Sequence, residues 1–88
     1  MLREPIIHVL KIRTEYFKDV KSGRKTFEFR WDDRDYRLGD TLQLSEWRPI
    51  KRKFTGRSIQ KKILSVFRPF HIDASIDFRW VILSLGDV

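Results

Sequence analysis

The chain has 88 residues, of which 41% are hydrophobic and 14% aromatic, and its 19 basic and 12 acidic side chains give a formal net charge of +7. This length predicts one domain over residues 1–88, and with no apolar run of membrane-span length and no signal-peptide core we expect a cytoplasmic protein without a membrane partner. The absence of cysteine excludes disulfides, thiolate metal sites and a cysteine nucleophile, and two histidines are too few for a metal site, so we expect no metal and no cofactor.

The first part of the chain predicts a strand, a helix and a second strand. Residues 6–12 are mostly apolar on both faces, and His8 within them is expected to be a hydrogen-bonded core residue. Residues 14–23 carry an apolar stripe behind a capping threonine, which predicts a short helix that must dock on a sheet. In residues 26–31 aromatic and polar side chains alternate, which predicts a half-buried strand packed through Phe27, Phe29 and Trp31.

The second part of the chain predicts only strands and turns. In residues 41–47 the alternation places Glu46 on the face of Leu42 and Leu44, beside the core. A basic loop or hairpin over 48–57 leads into a long strand over 58–68 with a bulge or bend, and residues 78–85 predict a central or closing strand. This order is typical of an α+β, mainly β domain with about five or six strands and one main helix.

The whole excess of positive charge lies in residues 48–62, which contain no acidic residue. The rest of the chain has as many acidic as basic side chains. A localised excess indicates a polyanion partner, although a solvated hairpin would show the same pattern. Trp47 and Phe54 are interleaved with the cations, as in sites where cations bind phosphates and rings stack on bases. The predicted backbone contacts are Arg48, Lys51, Arg52, Lys53, Arg57, Lys61 and Lys62.

A second candidate site runs from the end of the helix into the next strand, at Lys25, Glu28 and Arg30. A carboxylate flanked by cations can accept N–H donors from a base, and arginine offers a planar fork to phosphate or carbonyl oxygens. The alternative is a surface ladder of ion pairs among these three residues. Glu46 either pairs with Lys11 or Arg30 or belongs to a pocket.

Several segments, taken in order, resemble the ASCH superfamily and especially its small bacterial and phage branch. The likeness covers about residues 8–85, and it is carried by segments 8–11, 15–17, 22–30, 33–36, 39–46 and 54–57, with Ser22-Gly23-Arg24-Lys25-Thr26-Phe27-Glu28-Phe29-Arg30 as its core. The resemblance implies a PUA-like pseudo-barrel, a cleft between helix and barrel, and binding of RNA or a modified nucleobase.

Some ASCH relatives are amidohydrolases that act on acylated cytidine, and one is a nuclease. In the amidohydrolases a lysine, a threonine and a distant glutamate form the catalytic group. Lys25 matches the lysine, but Glu28 stands where those enzymes have the threonine, and the helical segment that carries the distant glutamate has no counterpart here. The resemblance therefore implies the cleft without that catalytic group.

These observations together predict a monomeric module that binds nucleic acid, with RNA as the expected partner. The expected cleft consists of Lys11, Lys25, Glu28, Arg30, Arg34 and Glu46. Two alternatives stay open. One is a small nucleoside amidohydrolase or nuclease that uses Lys25 with Glu28, and the other is a protein-binding module such as a phage-type inhibitor.

Overall fold

A computed structural model describes residues 3–88 and shows a mainly β protein, in which five strands form a half-barrel with one short helix. The elements follow the predicted order, and the strand count is five. They are β1 (Ile7–Arg13), α1 (Thr14–Lys21), β2 (Phe27–Trp31), β3 (Thr41–Arg48), β4 (Lys53–Phe67) and β5 (Trp80–Gly86), with a 3₁₀ turn at Pro69–His71. Within residues 3–88 no helix is long and apolar enough to cross a membrane.

All five strands belong to one sheet, in the order β1-β3-β4-β5-β2. β1 pairs with β3 in parallel, and the other three pairs are antiparallel. The helix packs against β1 and β3. In this strand order β1 and β2, which precede and follow the helix along the chain, lie at opposite edges of the sheet.

The core fills the concave side of the sheet beneath α1. Phe17 and Val20, spaced three residues apart, form the buried side of the helix, and Gly23 ends it with a φ of 82°, as expected of a glycine at that position. The strands and one loop contribute the other buried apolar side chains: Leu10, Ile12, Tyr36, Leu42, Leu44, Ile63, Val81, Leu83 and Leu85.

β2 presents to the core the face opposite to the one that we predicted. Its three aromatic side chains are 43–49% exposed, whereas Glu28 is only 7% exposed. The register with β5 explains the reversal, because Glu28 lies opposite the buried Leu83 while Trp31 lies opposite Trp80 on the outer face. The rings of Trp31 and Trp80 stack there with centroids 4.0 Å apart.

The basic segment is a hairpin rather than a long loop, since β4 begins at Lys53 instead of near residue 58. Residues 49–52 form the turn, in which Arg52 adopts a φ of 53°. The bulge predicted in the long strand is confirmed, because the register of β4 against β5 shifts between Ile63 and Ser65. This irregularity bends β4 so that it spans the half-barrel.

Asp40 ties the start of β1 to the loop before β3. Its buried carboxylate accepts hydrogen bonds from the guanidinium of Arg3 at 2.9 Å and from the backbone N–H of Arg37, and it bonds His8 Nε2 at 2.8 Å. These partners, Arg3 first, hold the pKa of Asp40 well below its usual range. The prediction that His8 is a hydrogen-bonded core residue is confirmed. Its ring lies against Tyr36, whose burial raises the pKa of that phenol to about 12.

Candidate functional site

Glu46 is completely buried near the end of β3, so the predicted inward orientation of this side chain is confirmed. It lies where the register against β4 shifts, between the pair Ser45–Ser58 and the pair Trp47–Phe54. One residue of β3 therefore faces a three-residue segment of β4, residues 55–57. The centre of this segment is Gly56, whose φ of 91° a residue with a side chain rarely adopts.

The bulge brings two donors to one oxygen of the carboxylate. Arg57 Nε donates to Glu46 Oε1 at 2.6 Å, and Thr55 Oγ1 donates to the same atom at 2.6 Å. The alternative in which Lys11 or Arg30 pairs with Glu46 is wrong, because the partner, Arg57, comes from β4. The guanidinium of Arg57, followed by the hydroxyl of Thr55, lowers the pKa of Glu46 in spite of its burial, so the carboxylate is charged at neutral pH.

The hydroxyl of Thr14 also lies beside this carboxylate and favours its charged form. Glu46 Oε2 and Thr14 Oγ1 are both buried, and neither makes a hydrogen bond of ordinary geometry within residues 3–88. A shallow groove of about 390 Å³ runs between α1 and β4, and its walls include Phe17, Gly56 and Arg57. Arg57, the partner of Glu46, is thus the residue that the groove shares with the buried carboxylate.

Lys25 and Glu28 come together as predicted, but not as a surface ladder. Lys25 Nζ lies 3.7 Å from Glu28 Oε1, and both side chains are more than four-fifths buried. The ammonium also lies 5.2 Å from the ring centroids of Tyr16 and Phe27, and these faces stabilise a cation. Arg30 shares the inner face of β2 and forms no salt bridge with Glu28, and Glu28 Oε2 is buried without a partner within residues 3–88.

Two further members of the predicted cleft lie elsewhere. Lys11 is on the outer face of the sheet, where its ammonium lies 4.0 Å above the ring of Trp47. Lys11 lies beside Ser45 in the register of β1 with β3, and Ser45 and Glu46 face opposite sides of the sheet because successive side chains of a strand alternate. The side chain of Lys11 therefore points away from Glu46. Arg34 donates to the backbone carbonyl of Val9 at 2.9 Å and thereby fastens the β2–β3 loop to β1. The inner face therefore keeps Lys25, Glu28, Arg30 and Glu46 of the six predicted residues.

The basic hairpin retains most of its charge uncompensated. Arg57 is paired with Glu46, and Lys61 is paired with Asp87 at 3.0 Å. The other five cations form no salt bridge with an acid of the described part of the chain. They are Arg48, Lys51, Arg52, Lys53 and Lys62, and all five are exposed. At the base of the hairpin the rings of Trp47 and Phe54 meet edge to face at 4.8 Å, as cross-strand neighbours.

Sequence reasoning missed Thr14 and Thr55 and assigned Arg57 to the phosphate contacts alone. The available signal was Thr55-Gly56-Arg57, because a glycine inside a strand marks a bulge that can re-aim its neighbours. For metals, residues 3–88 contain no group of three or more histidine, aspartate or glutamate side chains that could hold an ion.

Two comparisons with known proteins bear on the chain. A protein of Escherichia phage P2 described as "Uncharacterized 12.9 kDa protein in GpA 3'region" is 45% identical over 60 residues, which are 68% of this chain and 53% of the phage protein. The chain thus spans about half the length of this curated relative. The model of a family described as a domain of unknown function, DUF3850, matches residues 7–85. Since that match extends over nearly the whole chain, the protein belongs to the DUF3850 family.

Proposed function

We propose that this protein is a nucleic-acid-binding module, with RNA or a modified nucleotide as its ligand. The β3–β4 hairpin contacts the phosphate backbone, and the inner face around Glu46, Lys25 and Glu28 receives a base. The observation that carries the proposal is the hairpin itself. Five of its exposed cations have no acidic partner within residues 3–88, and they surround a pair of aromatic rings.

The hairpin has the two chemical features that a single strand requires. Arg48 and Lys53 lie directly opposite each other, and Lys51 and Arg52 lie in the turn that connects them. Cations this close repel one another, and phosphates that approach them relieve the repulsion as they displace counterions. Phe54 is 51% exposed and offers ring surface to an unstacked base.

The inner face supplies acceptor oxygens beside the cations Lys25 and Arg30. Glu46 Oε2 and Thr14 Oγ1 are buried and make no hydrogen bond of ordinary geometry within residues 3–88, and the amino or imino N–H groups of a base would provide one. A PUA-like pseudo-barrel, implied by the ASCH resemblance, is part of this proposal. The half-barrel with α1 across its concave side supports it.

The experiment is the salt dependence of binding to a labelled single-stranded RNA of mixed sequence, measured by fluorescence anisotropy. If all five unpaired cations contact phosphates, log K should fall against log salt with a slope near −3.5, about −0.7 per contact. Reversing Lys51, Arg52 and Lys53 to glutamate should make that slope shallower by about 2. The same strand as DNA distinguishes RNA from general single-strand binding.

A matched control reverses Lys18, Arg24 and Arg37 to glutamate, because these three exposed cations lie outside the hairpin and give the same change in net charge. The control should retain the original slope within about 0.5, less than one phosphate contact. Equal losses in both triple variants would mean that net charge alone attracts the RNA. No binding by the unaltered protein at low salt would refute the proposal.

The amidohydrolase alternative rests on the contact between Lys25 and Glu28. A nucleophilic lysine must lose its proton, whereas a carboxylate at 3.7 Å and two ring faces all favour the ammonium. We therefore expect no hydrolysis of acylated cytidine, and weaker nucleotide binding in Lys25→Ala with an unchanged circular dichroism spectrum. Turnover that disappears in Lys25→Ala would favour the enzyme. Neither binding nor turnover would leave a protein partner as the function.

A further inference from the structure

β2 forms an open edge of the sheet. Asp32 donates its backbone N–H to the carbonyl of Arg79, and the carbonyl of Thr26 accepts from Leu85. Antiparallel strands bond through alternate residues, so Glu28 and Arg30 also turn their backbone groups toward β5. The N–H and C=O groups of Phe27, Phe29 and Trp31 therefore point away from the sheet, and β5 is the one strand of residues 3–88 that pairs with β2.

The same three residues also carry the exposed aromatic side chains. On the outer face Phe29 and Trp31 both stack against Trp80, with centroids 4.6 and 4.0 Å apart, and all three side chains of β2 remain 43–49% exposed. An exposed, apolar edge strand without a proline or a bulge is a template for pairing with another strand. One segment thus offers both unpaired backbone groups and unburied rings.

The sequence of β2 is complementary to itself when two copies run antiparallel about Phe29. In that register Phe27 lies opposite Trp31 of a second copy on the outer face, and Phe29 lies opposite itself. On the inner face Glu28 lies opposite Arg30, and the two-fold axis produces this pair twice. Side chains directly opposite one another are about 4.5–5.5 Å apart at Cβ, which is close enough for an ion pair.

The charges also select this register over its neighbours. The outward N–H and C=O groups of Phe27, Phe29 and Trp31 must face the same groups of the second copy. The nearest alternative registers that satisfy this condition bring residue 28 or residue 30 onto the two-fold axis. Those two registers place Glu28 against Glu28 or Arg30 against Arg30, and like charges directly opposite are destabilising. The register centred on Phe29 is the one that pairs opposite charges.

An independent feature of Glu28 agrees with this register. The residue is 7% exposed, its Oε2 atom has no hydrogen-bond partner within residues 3–88, and its contact with Lys25 at 3.7 Å is longer than a hydrogen bond. A buried carboxylate oxygen without a donor is costly. The guanidinium of Arg30 from a second copy would supply that donor.

We propose that two copies of this chain associate through antiparallel pairing of their β2 strands, centred on Phe29, with reciprocal Glu28–Arg30 ion pairs. This differs from the monomer that we expected from the sequence. The proposed association involves the open edge of β2 and does not depend on nucleic-acid binding by the hairpin. The paired segment is short, so the interface belongs to the small, weak class and the dissociation constant should be micromolar rather than nanomolar.

Sedimentation equilibrium over a wide range of protein concentration tests the proposal, with no nucleic acid present. The expected mass rises from 10.7 kDa toward twice that value. Glu28→Arg and Arg30→Glu should each weaken association at least tenfold, because each creates two like-charge contacts. The double variant Glu28→Arg/Arg30→Glu restores opposite charges in the same register and should recover association.

Phe29→Lys provides a test that spares the buried face, since this half-exposed side chain meets its own copy at the axis and two lysines would repel. Val9→Lys is the matched control, because Val9 is 54% exposed on β1, the opposite edge strand, and the variant should still dimerise. A protein that stays monomeric at millimolar concentration overturns the proposal. So does a dimer that survives Phe29→Lys, or a double charge swap that fails to recover association lost in the folded single variants.

Discussion

Replacing Arg57 by leucine should destabilise the protein far more than replacing Glu46 by leucine, although the two side chains share one ion pair. Glu46 is completely buried, whereas the side chain of Arg57 is 55% exposed. Loss of Arg57 leaves a buried carboxylate with the hydroxyl of Thr55 as its remaining donor. Loss of Glu46 leaves a guanidinium that water can solvate, and leucine fills much of the vacated volume.

The structure sets an upper limit on the cost of losing Arg57. A stranded carboxylate can always bind a proton, and for a glutamate with an ordinary unfolded-state pKa near 4.3 this costs about 3.7 kcal/mol at pH 7 and about 1 kcal/mol at pH 5. We therefore expect Arg57→Leu to lower the free energy of unfolding by about 2–3.5 kcal/mol at pH 7, and by clearly less at pH 5. Glu46→Leu should change it by less than about 1 kcal/mol.

Urea unfolding followed by tryptophan fluorescence, at both pH values, measures these differences. The double variant Arg57→Leu/Glu46→Leu should be about as stable as Glu46→Leu, because the stranded charge is gone. Equal losses in the two single variants would refute the reasoning, since they would mean that the ion pair stabilises the fold symmetrically. A loss in Arg57→Leu that does not shrink at pH 5 would show that packing on Phe17, rather than charge, is responsible.

Two further variants test the fold around this site. Asp40→Asn should lose about 2–4 kcal/mol at pH 7, because it weakens the charge-assisted bonds from Arg3 and His8 to a buried group. Since the folded-state pKa of Asp40 is depressed, its contribution is present above the unfolded value near 4 and is lost as the pH falls below it, so urea unfolding should show the two proteins converging in acid. Gly56→Ala should lose about 1–2 kcal/mol through its φ of 91° alone, as no atom lies within 4 Å of the added methyl group, and Gly56→Asn should lose less in the same assay.

Local patterns in the sequence predicted the elements and the burial of Glu46. The alternation of Leu42, Leu44 and Glu46 is unambiguous because the two leucines must be buried. Every second side chain of a strand lies on the same face, so Glu46 points inward with them. In β2 the same reasoning failed. Its aromatic face is the more hydrophobic one, but the orientation of the strand is decided by its register against β5, about fifty residues away along the chain, and by stacking on Trp80.

The partners within the site depend on geometry that spacing does not reveal. Glu46 and Arg57 are eleven residues apart, and they meet because the register shift at Gly56 places residues 55–57 opposite the single residue Glu46. In a regular hairpin with the same turn, Thr55 alone would face Glu46, and Arg57 would lie opposite Leu44. Lys11 was grouped with the cleft by charge, whereas its strand position assigns it to the outer face with Trp47. Charge identifies candidate residues, and backbone irregularities decide which of them meet.

Folding stability alone does not explain why a carboxylate, that of Glu46, is buried at this position. A buried ion pair is often no more stabilising than apolar residues of the same volume, and here Glu46 Oε2 makes no hydrogen bond of ordinary geometry within residues 3–88. This missing hydrogen bond favours binding of a ligand, because an N–H group bound to Oε2 forms a hydrogen bond that the described chain does not make, in surroundings where it is stronger than in water.

We therefore expect Glu46→Leu to fold normally and to bind nucleotides at least tenfold more weakly, while the salt-dependent attraction of the hairpin for longer RNA persists. Isothermal titration with single ribonucleotides, beside anisotropy with the RNA strand, separates the two effects. Unchanged nucleotide binding in this variant would remove Glu46 from the site and leave the hairpin as its remaining support.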